Sequence, residues 1–118
     1  MLHSLNEVSF TDRVLQLIPG ADRVQQRRMF GGVGLFEHNT MFAITVNDRL
    51  FLKADAKTRV EFERRGLERF HYDYNDQSLT LDFYHAPAEV FRRDREMALW
   101  VNRARAAAFR GKTMAANS

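Results

Sequence analysis

The chain has 118 residues, 45% of them hydrophobic and 28% charged, a net charge of +3 and no cysteine. Such a chain suits one domain with a packed core, and it excludes a disulfide frame, a thiol nucleophile and a cysteine-based zinc site. No apolar run approaches the ~18 residues of a membrane span, and the opening MLHSLNEVSF lacks signal-peptide regions, so the expected location is the cytoplasm.

In chain order, Leu5, Val8, Val14, Leu15, Leu17 and Ile18 recur at loosely helical spacing. Ser9-x-x-Asp12 offers a cap, and Pro19-Gly20 stops the helix. The period then falls to two, which predicts strands over roughly Val24 to Glu37, Thr40 to Val46 and Arg49 to Ala54. The pairs His38-Asn39 and Asn47-Asp48 suit tight hairpin turns between them. Asp55 caps a predicted helix over Ala56 to Arg65, and Gly66 ends it. FHYDY and SLTLDFY flank a further turn at Asn75-Asp76. The implied register sets Tyr74 opposite Gln77, Tyr72 opposite Leu79 and Phe70 opposite Leu81. Pro87 opens another helical stretch, Asp94 caps its continuation to about Arg110, and GKTMAANS reads as a frayed tail.

These elements predict one α+β domain over 1–110 with a flexible tail over 111–118. The order is α-β-β-β-α-β-β-α, in two layers, with a five-stranded, mostly antiparallel sheet and helices on one face. Seven bases and two acids lie from Phe91 onward, against eleven bases and thirteen acids before it, so the basic excess is C-terminal. Fifteen of the eighteen bases are arginine, whose planar fork suits phosphate and carboxylate alike.

RRMFGGVGLF, residues 27–36, resembles a phosphate-binding loop only superficially. Gly31, Gly32 and Gly34 miss the G-x-G-x-x-G spacing because position 37 is Glu, and a strand rather than a helix follows. The stretch therefore predicts a strand bent by glycines, with Arg27 and Arg28 as its functional part.

Together with MFAITVNDRLFLKADAKTRVEF, LTLDFYHAPAEVF and ALWVNRARAAA, this stretch resembles the N-terminal domain of the TfoX/Sxy competence regulators. Arg28-Met29-Phe30-Gly31-Gly32, Gly34-Leu35, Phe51-Leu52-Lys53 and Tyr84 with Pro87 carry the resemblance, which runs from about Met29 to Ala108. It implies the same order of elements. It also implies a role in regulating DNA-uptake genes, in some members as a coactivator beside a DNA-bound transcription factor. The chain ends soon after this domain, so the C-terminal domain of full-length regulators, with its helix-hairpin-helix-like features, is expected to be absent. The resemblance supplies no catalytic residue and no cofactor. Met29, Phe30, Gly31, Gly32, Gly34, Lys53, Tyr84 and Pro87 are the shared residues and are assigned mainly to the fold.

Two-residue turns would place Val33, Leu35, Phe42, Ile44, Val46 and Phe51 on one sheet face. Gly34, Phe36, Met41, Ala43, Thr45, Leu50 and Leu52 would lie on the other. Both faces are apolar, so the second calls for a partner, another copy of the chain, or cover by a helix or a terminal segment. The last helix repeats this theme. Met97, Trp100, Val101, Ala104 and Ala108 make a core stripe, while Leu99, Asn102, Ala106 and Phe109 make a second one roughly opposite, beside Arg95, Arg103, Arg105 and Arg110.

Chemical motifs are sparse. His3, His38, His71 and His85 lack metal-ligand spacing, and none of Ser4, Ser9, Ser78 and Ser118 lies in a nucleophile elbow. His71 and Asp73 with Asp82 or His85 form the remaining polar cluster, and Asp76 belongs to a turn. The expectation is a non-enzymatic interaction module without metal or cofactor. It would act as a transcription co-regulator of competence genes through protein contacts, a transcription factor being one candidate partner and a homodimer another. The contact candidates are Arg27, Arg28, Arg95, Leu99, Arg103 and Phe109. The alternative is a direct nucleic-acid binder, in which Arg27, Arg28, Arg92, Arg93, Arg95, Arg103, Arg105 and Arg110 meet phosphates and Tyr72, Tyr74 and Tyr84 stack on bases. Membrane partners are not expected.

Overall fold

The computed structural model describes the backbone of residues 2–117 and the side chains of residues 10–112. Helix α1 (Leu2–Leu17) ends where Gly20 turns left-handed, at φ 67°, and a 3-10 turn over Ala21–Arg23 leads into the sheet. Strands β1 (Gln25–Met29), β2 (Gly32–Glu37), β3 (Thr40–Val46) and β4 (Arg49–Lys53) follow as a meander. Helix α2 (Arg59–Arg64) precedes the hairpin of β5 (Arg69–Tyr74) and β6 (Gln77–His85). A 3-10 turn over Ala88–Phe91, opened by Pro87, leads to α3 (Asp94–Asn117). That helix passes its expected end near Arg110, and Ser118 lies outside the described residues.

The architecture is α+β with an antiparallel sheet, but the sheet has six strands rather than five, in the order β1-β2-β3-β4-β6-β5. The extra strand comes from the glycine stretch. Phe30 and Gly31 both take positive φ, 56° and 76°, so the chain reverses there and the expected bent strand is a hairpin. His38-Asn39, Asn47-Asp48 and Asn75-Asp76 turn with the same paired positive φ, as their sequences require. Phenylalanine is a poor left-handed residue, which hid the first turn. Its ring contacts, described below, offset that strain. Gly32 serves a different need: a Cβ there would lie 2.2 Å from the Thr45 carbonyl oxygen.

Two bulges change the expected faces. Leu35 opposes Ala43 but Phe36 opposes Met41, so Phe42 is the extra residue in β3. Beyond it the alternation inverts. Val33, Leu35, Phe42, Ala43, Leu50 and Leu52 face the helices, whereas Ile44, Val46 and Phe51 turn to the far side. In the second hairpin Tyr74 opposes Gln77 and Tyr72 opposes Leu79, as expected. Phe70 does not oppose Leu81, because the register shifts between Arg69 and His71.

On the helix side, Val14 of α1, Ile18 just after it, and Met97, Trp100, Val101, Ala104 and Ala108 of α3 pack on the sheet in one core. Thr11 and Thr45 are buried together and share a hydroxyl hydrogen bond of 2.9 Å. Helix α2 begins later than expected because residues 55–58 form a turn, in which Asp55 Oδ1 accepts from the amides of Lys57 and Thr58. Its Phe62 stacks on Tyr84 at 5.1 Å and meets Trp100 edge-on at 5.3 Å.

The far face is a second core built from Ile44, Phe51, Phe70 and Phe83. No helix covers it. Instead the sheet curls, and Phe30 meets Phe70 and Tyr72 edge-on, with ring centroids 5.9 and 5.7 Å apart. The two outer strands, β1 and β5, are thereby joined by rings rather than by main-chain hydrogen bonds. Gly34 leaves room on this face for the Met29 and Met41 sulfurs, which a Cβ would approach within 2.9 and 2.8 Å.

Glycine substitutions separate close approach from backbone handedness. Gly32→Ala should lower stability by about 2 kcal/mol or more, since backbone must move. Gly66, at φ 67° with open space around it, should lose only about 1 kcal/mol on the same change. Urea midpoints at unchanged m-value check both.

Candidate interaction surface

Among the described residues, no three His, Asp or Glu side chains converge as metal ligands, and no helix is long and apolar enough to cross a membrane. The polar cluster on the second hairpin does not assemble into a reactive centre. Asp82 pairs with both Arg59 and Arg69, at 3.2 and 2.6 Å. His85 packs against the Phe51 ring, and burial pushes its pKa below the usual histidine range. His71 lies only within 4.0 Å of Asp73. His3, Ser4, Ser9 and Ser118 fall outside the described side chains.

The exposed face of α3 is more coherent. Arg95, Leu99, Asn102, Ala106 and Phe109 recur every three or four residues and are all exposed, while the core stripe on the opposite side is buried. Leu99 keeps 41% of its surface and Phe109 keeps 66%, so the described residues bury neither. Arg103 flanks the stripe with its guanidinium 5.1 Å from the Trp100 ring centroid. Arg92, Arg93, Arg95 and Arg103 have no acidic partner among the described residues.

Two arginines that had been candidates for phosphate contact are committed to the fold. Arg105 reaches inward to Glu37 at 3.3 Å, its side chain only 14% exposed and its guanidinium over the Phe42 ring at 5.0 Å. Burial pushes its pKa down, and Glu37 pulls it back up. Arg110 donates to Asp55 Oδ2 at 2.6 Å and so ties α3 to the turn before α2. That bond, with the Thr58 and Lys57 amides, outweighs burial and holds the Asp55 carboxyl at about 2, below its ordinary 3.8.

Arg27 and Arg28 are exposed on β1, an outer strand, whereas α3 lies over β3 and β4. They form a separate locus, with the Arg27 guanidinium 4.7 Å from the Phe36 ring centroid. The other shared residues pack within the fold. Lys53 lies over Phe83, Tyr84 is buried with its hydroxyl donating to Glu63, and Pro87 is fully buried. Tyr72 is half-buried, whereas Tyr74 is 64% exposed. Sequence reasoning passed over Leu79 as a surface group, although a nine-residue β6 beside a five-residue β4 was the signal.

A family model described as the TfoX N-terminal domain matches residues 16–108. The DNA transformation protein TfoX1 of Aliivibrio fischeri (strain ATCC 700601 / ES114) is 29% identical over 82 residues. That alignment covers 70% of this chain and 39% of the relative, so the chain corresponds to well under half of that protein's length.

Arg105→Ala should cost about 1–3 kcal/mol, because it leaves the half-buried Glu37 with only the more distant Arg23, at 3.8 Å. Arg95→Ala should stay within about 0.5 kcal/mol, and chemical denaturation measures both. The folded-state pKa of Asp55 is depressed, so its pairing adds stability above pH 3.8 that disappears as the pH falls through about 2. Urea midpoints of the wild type and Arg110→Ala should therefore differ at neutral pH and converge near pH 2.

Proposed function

The chain belongs to the TfoX N-terminal domain family, and from that premise we propose that it is a regulatory interaction module of DNA-transformation genes. It works by contact rather than by catalysis, needs no cofactor, and acts in the cytoplasm. The relative named as a DNA transformation protein supports the process, and the α3 surface supports the mode of action.

The observation that carries this reading is the pairing of Leu99 and Phe109, both exposed on one stripe, with a rim of arginines that lack acidic partners among the described residues. A helix in a small domain hides its large apolar side chains unless another surface covers them. Apolar anchors inside a charged rim match the anatomy of a protein interface, where the centre supplies affinity and the rim orients the partner. The complementary partner carries acidic groups around an apolar ridge, as a transcription factor's contact surface can. The same arginines favour nucleic acid as the second reading. It is weakened by the engagement of Arg105 and Arg110 in ion pairs within the fold.

Fluorescence anisotropy with labelled duplex and single-stranded DNA separates the two. The protein-contact reading expects little binding near physiological salt, and a captured protein complex that Leu99→Glu or Phe109→Glu abolishes while the circular dichroism spectrum is kept. DNA affinity that survives physiological salt and weakens in Arg103→Glu would assign the helix to nucleic acid instead.

A further inference from the structure

Main chain is left without a strand partner along β1, β5 and β6, and these lengths differ in charge. The free side of β1 carries Arg27 and Arg28. The free side of β5 carries Arg69, His71 and Asp73, with Arg69 already held by Asp82 and the Phe30 ring against Phe70 and Tyr72. The third lies on β6. Strand β4 pairs with β6 only as far as Lys53 opposite Phe83, and Ala54 adds one amide bond to the Asp82 carbonyl. Residues 77–81 extend beyond that point, and Gln77, Ser78, Leu79 and Thr80 are all exposed.

The overhang reads Gln-Ser-Leu-Thr-Leu and has no charge, proline or glycine, the usual protection of a sheet edge. Self-pairing of β1 about its centre would set Arg27 against its own copy. The β6 overhang alone meets no like charge when paired with itself. Its main-chain groups also point the right way. Tyr74 and Gln77 close a two-residue turn and form a hydrogen-bonded pair, so the N–H and C=O of Ser78 and Thr80 face away from β5.

We propose that this overhang pairs antiparallel with the same segment of a second copy of the chain, about a two-fold axis at Leu79. Ser78 of each copy then lies opposite Thr80 of the other, and each such pair exchanges both main-chain hydrogen bonds. The Leu79 side chains, 44% exposed in the single chain, meet across the axis at the narrow spacing of a non-hydrogen-bonded pair, with Cα atoms about 4.5 Å apart. The contact uses no residue of the α3 stripe and stands independently of that reading. It is smaller than a standard interface of roughly 1,600 Å², so the dimer is a weak one, with Kd between about 1 µM and 1 mM.

The absence of cysteine makes the test direct. A single Leu79→Cys should form an intermolecular disulfide under mild oxidation, because about 4.5 Å lies within the disulfide range of about 4.4–6.8 Å. Phe109→Cys is the control, and its greater exposure would favour it if collisions were random. The proposal expects Leu79→Cys to cross-link faster, and the average mass of wild-type protein in sedimentation equilibrium to rise from one chain towards two as concentration approaches about 1 mM. Thr80→Pro removes an outward amide that an exposed edge can lose, and should return the mass to one chain. If Thr80→Pro fails to fold, Leu79→Lys sets like charges across the axis without altering the backbone and should have the same effect. A wild-type mass of one chain at about 1 mM, a dimer that survives both folded variants, or faster cross-linking by Phe109→Cys would overturn the proposal.

Discussion

Phe30 reaches from the end of β1 to Phe70 and Tyr72 on β5, the outer strand at the other side of the sheet. The helices cover only one face, yet Ile44 and Phe51 on the opposite face are almost completely buried. The curl that brings the two outer strands together supplies the missing cover. It depends on the bulge at Phe42, which turns Ile44 and Val46 to the far side, and on the register shift near Phe70, which bends β6. Gly31 and Gly34 make that closure sterically feasible. One permits the turn, and the other leaves room for two methionine sulfurs.

Alternation and turn chemistry made most of this fold legible in the sequence. Three asparagine- or histidine-containing turns, the α2 stop at Gly66 and the buried stripe of α3 all follow from local rules. The failures share a cause, because each concerns a residue whose local preference is overruled by distant packing. Phe30 takes a left-handed conformation that its own side chain disfavours, in return for rings some forty positions away in the chain. Phe42 occupies a bulge with no glycine to mark it, and a single extra residue inverts every later side chain in the strand. The second apolar face was visible, but its cover was not, since curvature is a property of the assembled sheet.

The arginines divide along similar lines. Spacing on α3 separated Leu99 and Phe109 from the core stripe without any coordinates, because helical period alone decides it. The same period could not assign Arg105 and Arg110. Their partners, Glu37 and Asp55, lie on a strand end and a turn that only the tertiary fold brings beneath the helix. A basic helix read from sequence therefore overstated the charge offered to a ligand, and Arg92, Arg93, Arg95 and Arg103 are the ones without an acidic partner among the described residues.

The ring contact at Phe30 also bears on how the chain assembles. The meander of β1 to β4 consists of neighbours in sequence and can form early, whereas Phe30 and Tyr72 must close a loop of more than forty residues before their contact gains anything. That closure belongs late in folding. It is also held by side chains alone, so it can loosen without breaking a single strand ladder. The outer strands would then part while the helix-facing core and the strand ladders stay intact, exposing the Phe30 and Tyr72 rings without loss of amide protection in β5 or α3.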